Sequence, residues 1–139
     1  MKRHSALQSL SREHHGALVL ALACTRAASS GSDEKIHAAC ERVARQFETD
    51  LEPHFRQEEE EALLPLLRDA GQDELVRRTL DDHASLRAMA NALCSRDTAC
   101  LGEFGKTLSD HVRFEEQELF PTAEQVVPTE LLKAALGAD

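Results

Sequence analysis

No sustained period-two alternation runs through this chain, β-branched clusters are few, and Ala, Leu, Glu and Arg recur at helical spacing. A chain so patterned has no sheet to pack against, so its helices have to bury their apolar stripes on one another. Ser5 with Gln8 forms a capping-box start, and Leu7, Leu10, Ala17, Leu18 and Ala21 continue one stripe until Ser29–Asp33, "SSGSD", ends it. A second helix is expected from about Asp33 to Asp69, with Gly71 just past its end and Pro53 kinking it from inside. A third begins near Gln72 or Asp73 and reaches about Cys94. A fourth starts around Asp97 or Thr98 and runs toward Pro121. A short tail helix opens at Pro128 and Thr129 and ends at Gly137, with Leu131, Leu132 and Leu136 on one side. The connections are only a few residues long, which makes consecutive helices antiparallel neighbours. The expectation is an all-α, up-down-up-down four-helix bundle with a short C-terminal helix: one domain over 1–139, its core at about 5–126.

Composition narrows the classes of function. With 139 residues and 42% hydrophobic content, the chain is long enough for a core of its own. Acidic residues outnumber Lys and Arg by 25 to 16, a balance that opposes phosphate neutralisation, so no nucleic acid and no anionic membrane is expected as a partner. The basic start is interrupted by Glu13, His14 and His15 before a signal-like apolar stretch develops, and Ala17–Cys24 is too short to span a bilayer. A cytoplasmic protein is expected. Trp and Tyr are both absent, so tyrosine supplies neither a radical nor a ligand. No nucleophile–base pair, glycine-rich phosphate loop or dinucleotide fingerprint appears, which leaves hydrolase, kinase and dehydrogenase chemistry without support.

Polar residues interrupt the apolar stripes in a repeated way. His14 has Leu10 one turn before it and Ala17 and Leu18 one turn after; His83 is flanked by Leu80, Leu86 and Ala90. His111 lies between Leu108 and Phe114 with Glu115 one turn on, and His54 follows Leu51 with Glu58 one turn on. One inward histidine is ordinarily a hydrogen-bonded core residue. Four of them, one per helix and two followed at i+4 by glutamate, would bury several polar groups at about 1–3 kcal/mol each if left unpaired. A shared metal removes that cost. Counted from the turns at one end of the bundle, the four histidines agree within about two helical turns, so they can meet in one layer. Imidazole with carboxylate and no thiolate at that level suits Fe or Mn, and Zn is compatible.

The four cysteines, Cys24, Cys40, Cys94 and Cys100, show neither CxxC pairs nor zinc-ribbon spacing. They flank the first and third turns, on the order of 15 Å from the histidine layer, which rules them out as ligands there. Reduced thiols are expected, serving as small residues near short turns or as a redox cluster.

"LSREH", "HFRQEEEEALLP", "DDHASLR" and "HVRFEEQELFP" together resemble the hemerythrin-like, or HHE cation-binding, family over about residues 7–125. The ordered pattern H…HxxxE…H…HxxxE is more specific than any one piece. The resemblance implies two Fe ions with terminal ligands His14, His54, His83 and His111 and bridging Glu58 and Glu115. His15 falls off the stripe, and His4 and His37 lie outside the motifs as surface residues. The oxygen-carrying members have a fifth histidine one turn from the third-helix ligand, where this chain has Thr79 and Arg87 at the two positions. Its lack favours reactivity or sensing over reversible oxygen carriage. Pro65 follows His54 by eleven positions whereas Pro121 follows His111 by ten, so counting back from the proline selects Glu59 in place of Glu58, and a π-bulge would reconcile the two. The competing ferritin-like reading needs two ExxH motifs and finds one, "EKIH" at Glu34–His37.

The resemblance implies a non-haem di-iron protein that binds or reacts with dioxygen, peroxide or nitric oxide in sensing or oxidative-stress defence. Iron storage, delivery or repair of iron centres is the alternative, though the repair type usually carries an additional N-terminal cysteine-bearing region ahead of the first helix. An interaction module with a structural metal is the third reading. No sequence feature identifies an electron donor or protein partner.

Overall fold

The computed structural model describes residues 3–61 and 63–136, without the side chain of Glu61. Every regular element among them is helical: α1 (Ser5–Ser29), α2 (Asp33–Gln46), α3 (Glu52–Arg56), α4 (Leu63–Asp69), α5 (Asp73–Cys94), α6 (Leu101–Phe114), α7 (Phe120–Val126) and α8 (Thr129–Leu136). Three π-helical turns, Phe47–Leu51, Gln57–Glu61 and Glu115–Leu119, join α2 to α3, follow α3, and join α6 to α7. No described helix is long and apolar enough to cross a membrane.

Local chemistry sets the boundaries. Ser32 accepts the Lys35 amide at 3.2 Å, and Asp33 and Glu34 complement the dipole in the first turn of α2. Past α4, Gly71 takes φ 82° while the Gln72 amide returns to the Leu67 carbonyl at 2.9 Å, the bond that closes a left-handed helix end. Two expectations shift here. The cap of α1 is His4, whose Nδ1 accepts the Ala6 amide at 3.0 Å; Ser5 is already helical, and Gln8 donates to the Arg3 carbonyl. Asp97 and Thr98 do not start the fourth helix, because the turn after α5 extends to Cys100 and α6 begins at Leu101. Where Pro53 is expected to kink the second helix, the π turn Phe47–Leu51 is followed by α3, which carries Pro53 in its first turn. The expected end of the tail helix at Gly137 lies outside the described residues.

α1 packs on α6 and α2, α2 on α5, and α5 on α6, which closes a ring of four helix pairs. Two apolar clusters fill it. Leu20, Cys24, Val43, Leu86, Leu93 and Phe104 belong to one; Leu7, Leu10, Leu63, Leu67, Phe120 and Leu132 belong to the other. α8 covers the second, against α1 and α4, through Leu132, while Leu131 is half exposed. The stripes differ in detail from the sequence reading: Leu18 and Leu80 face outward, and Leu20 and Thr79 take the buried positions. Along α1 and α6, the histidines lie where one apolar cluster gives way to the other.

Candidate metal centre

His14, His54, Glu58, His83, His111 and Glu115 are all buried, and Glu58, His83 and Glu115 are fully so. They come from α1, α3, the π turn after it, α5, α6 and the π turn that follows α6. Their atoms form two overlapping groups, each with potential ligand atoms within 4.8 Å of one another. One comprises His14, His54, Glu58 and Glu115; the other comprises Glu58, His83, His111 and Glu115. The two carboxylates belong to both.

Glu58 presents one oxygen 3.1 Å from His83 Nε2 and the other 3.4 Å from His54 Nε2. Glu115 presents Oε1 to His14 Nε2 at 2.8 Å and to His54 Nε2 at 3.6 Å, and Oε2 to His111 Nε2 at 3.4 Å. Each carboxylate therefore spans both groups. The Nε2 atoms of His54, His83 and His111, both Glu58 oxygens and Glu115 Oε2 are buried without a hydrogen-bond partner among the described residues. Unsatisfied groups of this kind cost about 1–3 kcal/mol each, and cations among them remove the cost, so the residues fit a bound metal.

The other ring nitrogen of each histidine is fully committed. His14 Nδ1 lies 2.6 Å from Glu116, His54 Nδ1 2.7 Å from Glu13, His83 Nδ1 2.6 Å from Glu59, and His111 Nδ1 2.8 Å from Asp82. A carboxylate only accepts, so each Nδ1 carries a proton, and each Nε2 faces the cluster, where a bound cation would displace any second proton. The four carboxylates lie next to a site residue in the chain: Glu13 before His14, Glu59 after Glu58, Asp82 before His83, Glu116 after Glu115. They also close a cycle. α1 holds the histidine of α3, the π turn after α3 holds that of α5, α5 holds that of α6, and the π turn after α6 holds that of α1.

This arrangement separates Glu58 from Glu59. Glu59 faces outward from the cluster, accepting from His83 and from both terminal nitrogens of Arg87 at 2.9 and 3.1 Å. Both histidine–glutamate helices carry a π turn after the histidine, so a bulge on one alone does not explain the additional residue before Pro65. Glu13, Asp82 and Glu116 were missed in the sequence reading. Their signal is an acid adjacent in sequence to His14, His83 and Glu115.

The remaining histidines stand apart. His15 and His37 are exposed, as is Glu34, which leaves "EKIH" without a buried partner, and His4 is the helix cap. Arg87 is engaged by Glu52 and Glu59, and the Thr79 hydroxyl donates to the Leu75 carbonyl at 2.8 Å.

The protonation energetics follow from these contacts. Burial by itself would lower the His111 pKa, but Glu115, then Asp82 and Glu58, outweigh it and hold the group at about 10. Burial likewise opposes the charge on His54, which Glu58, Glu115 and Glu13 nonetheless keep well above the usual imidazole range. Glu115 lies well below the usual carboxylate range: burial acts to raise it, and His111 first, then Glu58 and His14, prevail.

Phe55 stacks on His83 with ring centroids 3.9 Å apart, and Phe120 stacks on His14 at 5.4 Å. A cavity of about 300 Å³ reaches the cluster, lined by His14, His54, His111 and Glu115 and by exposed Glu13 and Asp50.

Buried imidazoles and two shared carboxylates on a helical scaffold define a cation-binding helical protein. The sequence model of the hemerythrin HHE cation-binding domain matches residues 6–123, and the chain belongs to that family. Comparison with curated proteins and with solved structures finds no match.

Proposed function

We propose that residues 1–139 form one domain, an up-down-up-down four-helix bundle over about 5–126, that binds two iron ions and reacts with a small ligand. His14 and His54 would hold one ion, His83 and His111 the other, with Glu58 and Glu115 bridging. The observation that carries this reading is the membership of both carboxylates in both buried groups. Bound iron would supply a redox centre able to react with a small ligand.

The protein's own residues do the rest. Glu13, Glu59, Asp82 and Glu116 hold the four Nδ1 protons and so aim each Nε2 lone pair at the ions. Phe55 and Phe120 fix two of the rings and limit water. The cavity of about 300 Å³ is the approach for dioxygen, peroxide or nitric oxide, and it reaches His14, His54, His111 and Glu115. The role is sensing or oxidative-stress defence in the cytoplasm.

The test is anaerobic loading with Fe(II), metal analysis, and an optical spectrum before and after exposure to air. Two irons per chain and a new ferric absorption are expected. One iron per chain, or none, overturns the reading. Exposed Glu13 and Asp50 on the cavity favour passage of cations, which supports iron storage or delivery as the second reading. Rapid transfer of bound iron to an apo acceptor, with no spectral response to air, would select it.

A further inference from the structure

Away from the metal centre, Cys40 of α2 and Cys94 of α5 line one cavity of about 360 Å³, together with His37, Glu41, Arg96 and Thr98. The helices that carry them pack on each other. Counted along the chain from His54 and His83, both thiols lie roughly 15–20 Å from the histidine layer. Their settings differ: Cys40 is buried, whereas Cys94 is exposed. Cys94 is also the last residue of α5, and the chain leaves it through Arg96 at φ 67°, a left-handed backbone that non-glycine residues rarely adopt. A thiol at such a terminus can shift without disturbing the core.

The other two cysteines are placed differently. Burial first, and then Cys40, push the Cys24 thiol up to about 12, which keeps it unreactive. Cys100 donates to the Met89 carbonyl at 3.7 Å. Burial and then the neighbouring thiols Cys100 and Cys94 raise the Cys40 pKa, so Cys40 is the group on which the others converge. Among the described residues, no three His, Cys, Asp or Glu side chains at this end come close enough to hold a metal, which leaves thiol chemistry.

We propose that Cys94 and Cys40 are a peroxide-responsive thiol pair, Cys94 being oxidised first and Cys40 resolving it. In the first step the Cys94 thiolate attacks one oxygen of hydrogen peroxide. The O–O bond breaks, the leaving hydroxide takes up the thiol proton as water, and Cys94 becomes a sulfenic acid. In the second, the Cys40 sulfur attacks the Cys94 sulfur, the S–S bond forms, and the hydroxyl group leaves as a second water with the Cys40 proton. Two thiols and one peroxide thus give one disulfide and two waters, and a dithiol restores the starting state. Arg96 and Glu41 line the same cavity as the two thiols. The step needs no metal and stands independently of the di-iron reading.

The metal-loaded full chain is treated with hydrogen peroxide and, separately, with the thiol oxidant diamide, which needs no peroxide; free thiols are then alkylated and the peptides mapped by mass. The expected result in both arms is loss of two hydrogen masses and a Cys40–Cys94 cross-linked peptide that a dithiol reverses. Cys40→Ser should leave Cys94 as a sulfenic acid trapped by dimedone, and Cys94→Ser should slow loss of the Cys40 thiol to peroxide about tenfold. A Cys40–Cys100 cross-link, disulfide-linked dimers through Cys94, or wild-type Cys94 passing to sulfinic acid while Cys40 stays reduced would each overturn the proposal.

Discussion

Adding one methyl group to Gly105 is expected to destabilise this protein, although the same change at Gly16 is expected to stabilise it. Both glycines lie inside long helices, where alanine is favoured by about 1 kcal/mol. Around Gly16 a Cβ meets nothing within 4 Å. At Gly105 it would stand 2.7 Å from the Ala21 carbonyl oxygen, 2.8 Å from the Thr25 methyl and 3.2 Å from Cys24 Cβ. The nearest of these is backbone, so relief requires α1 and α6 to separate. Overpacking costs about 1–3 kcal/mol, and the upper half applies where a helix has to move. The net loss for Gly105→Ala is about 1–2 kcal/mol, or about 3–7 °C in Tm for a chain of this size, against a gain of up to about 3 °C for Gly16→Ala. Urea and thermal unfolding of the metal-free variants measure both. His14 comes from α1 and His111 from α6, so metal affinity should weaken in Gly105→Ala as well. Equal stability of the two variants would refute the inference that helix contact at Gly105 is tight enough to admit no Cβ.

Glu58→Ala removes the carboxylate that reaches both His54 and His83, so metal binding should be lost; Glu59→Gln should keep the stoichiometry and weaken affinity about 10–100-fold. Competitive metal titration distinguishes these, and the reverse order would move the bridging role to Glu59. In the metal-free protein the His111 contribution to stability is complete below its unfolded value of 6.5 and is lost as pH rises toward about 10. Glu115 has the opposite sign: its contribution is present above 4.5 and disappears as pH falls through its depressed folded value. Urea unfolding of metal-free protein between pH 6 and pH 10 should therefore show declining stability, and a flat profile would contradict the assignment of charge to His111.

How much of this was legible beforehand depended on which interactions were local. Helical spacing, the i+4 pairs His54–Glu58 and His111–Glu115, and Gly71 as a terminator are all short-range signals, and each lies where the pattern put it. The buried face was less well read. Leu18 and Leu80 sit at a stripe's edge, and a rotation of a fraction of a turn exchanges them for Leu20 and Thr79. His4 displaced Ser5 as cap because imidazole Nδ1 can also accept an amide, a role the usual cap residues obscure. The π turns depend on hydrogen bonds that composition does not encode. Glu13, Asp82 and Glu116 read as ordinary surface acids until a neighbouring helix brings a histidine to each one.

The cycle of histidines and carboxylates also limits how the helices can move. Each helical segment of the ring offers its neighbour a carboxylate from the position beside its own inward residue, so turning one helix about its axis breaks two attachments at once. Only coordinated rotation of all four preserves them, much as meshed gears turn together or stay still. A single-residue slip anywhere in the ring exchanges an inward group for an outward one.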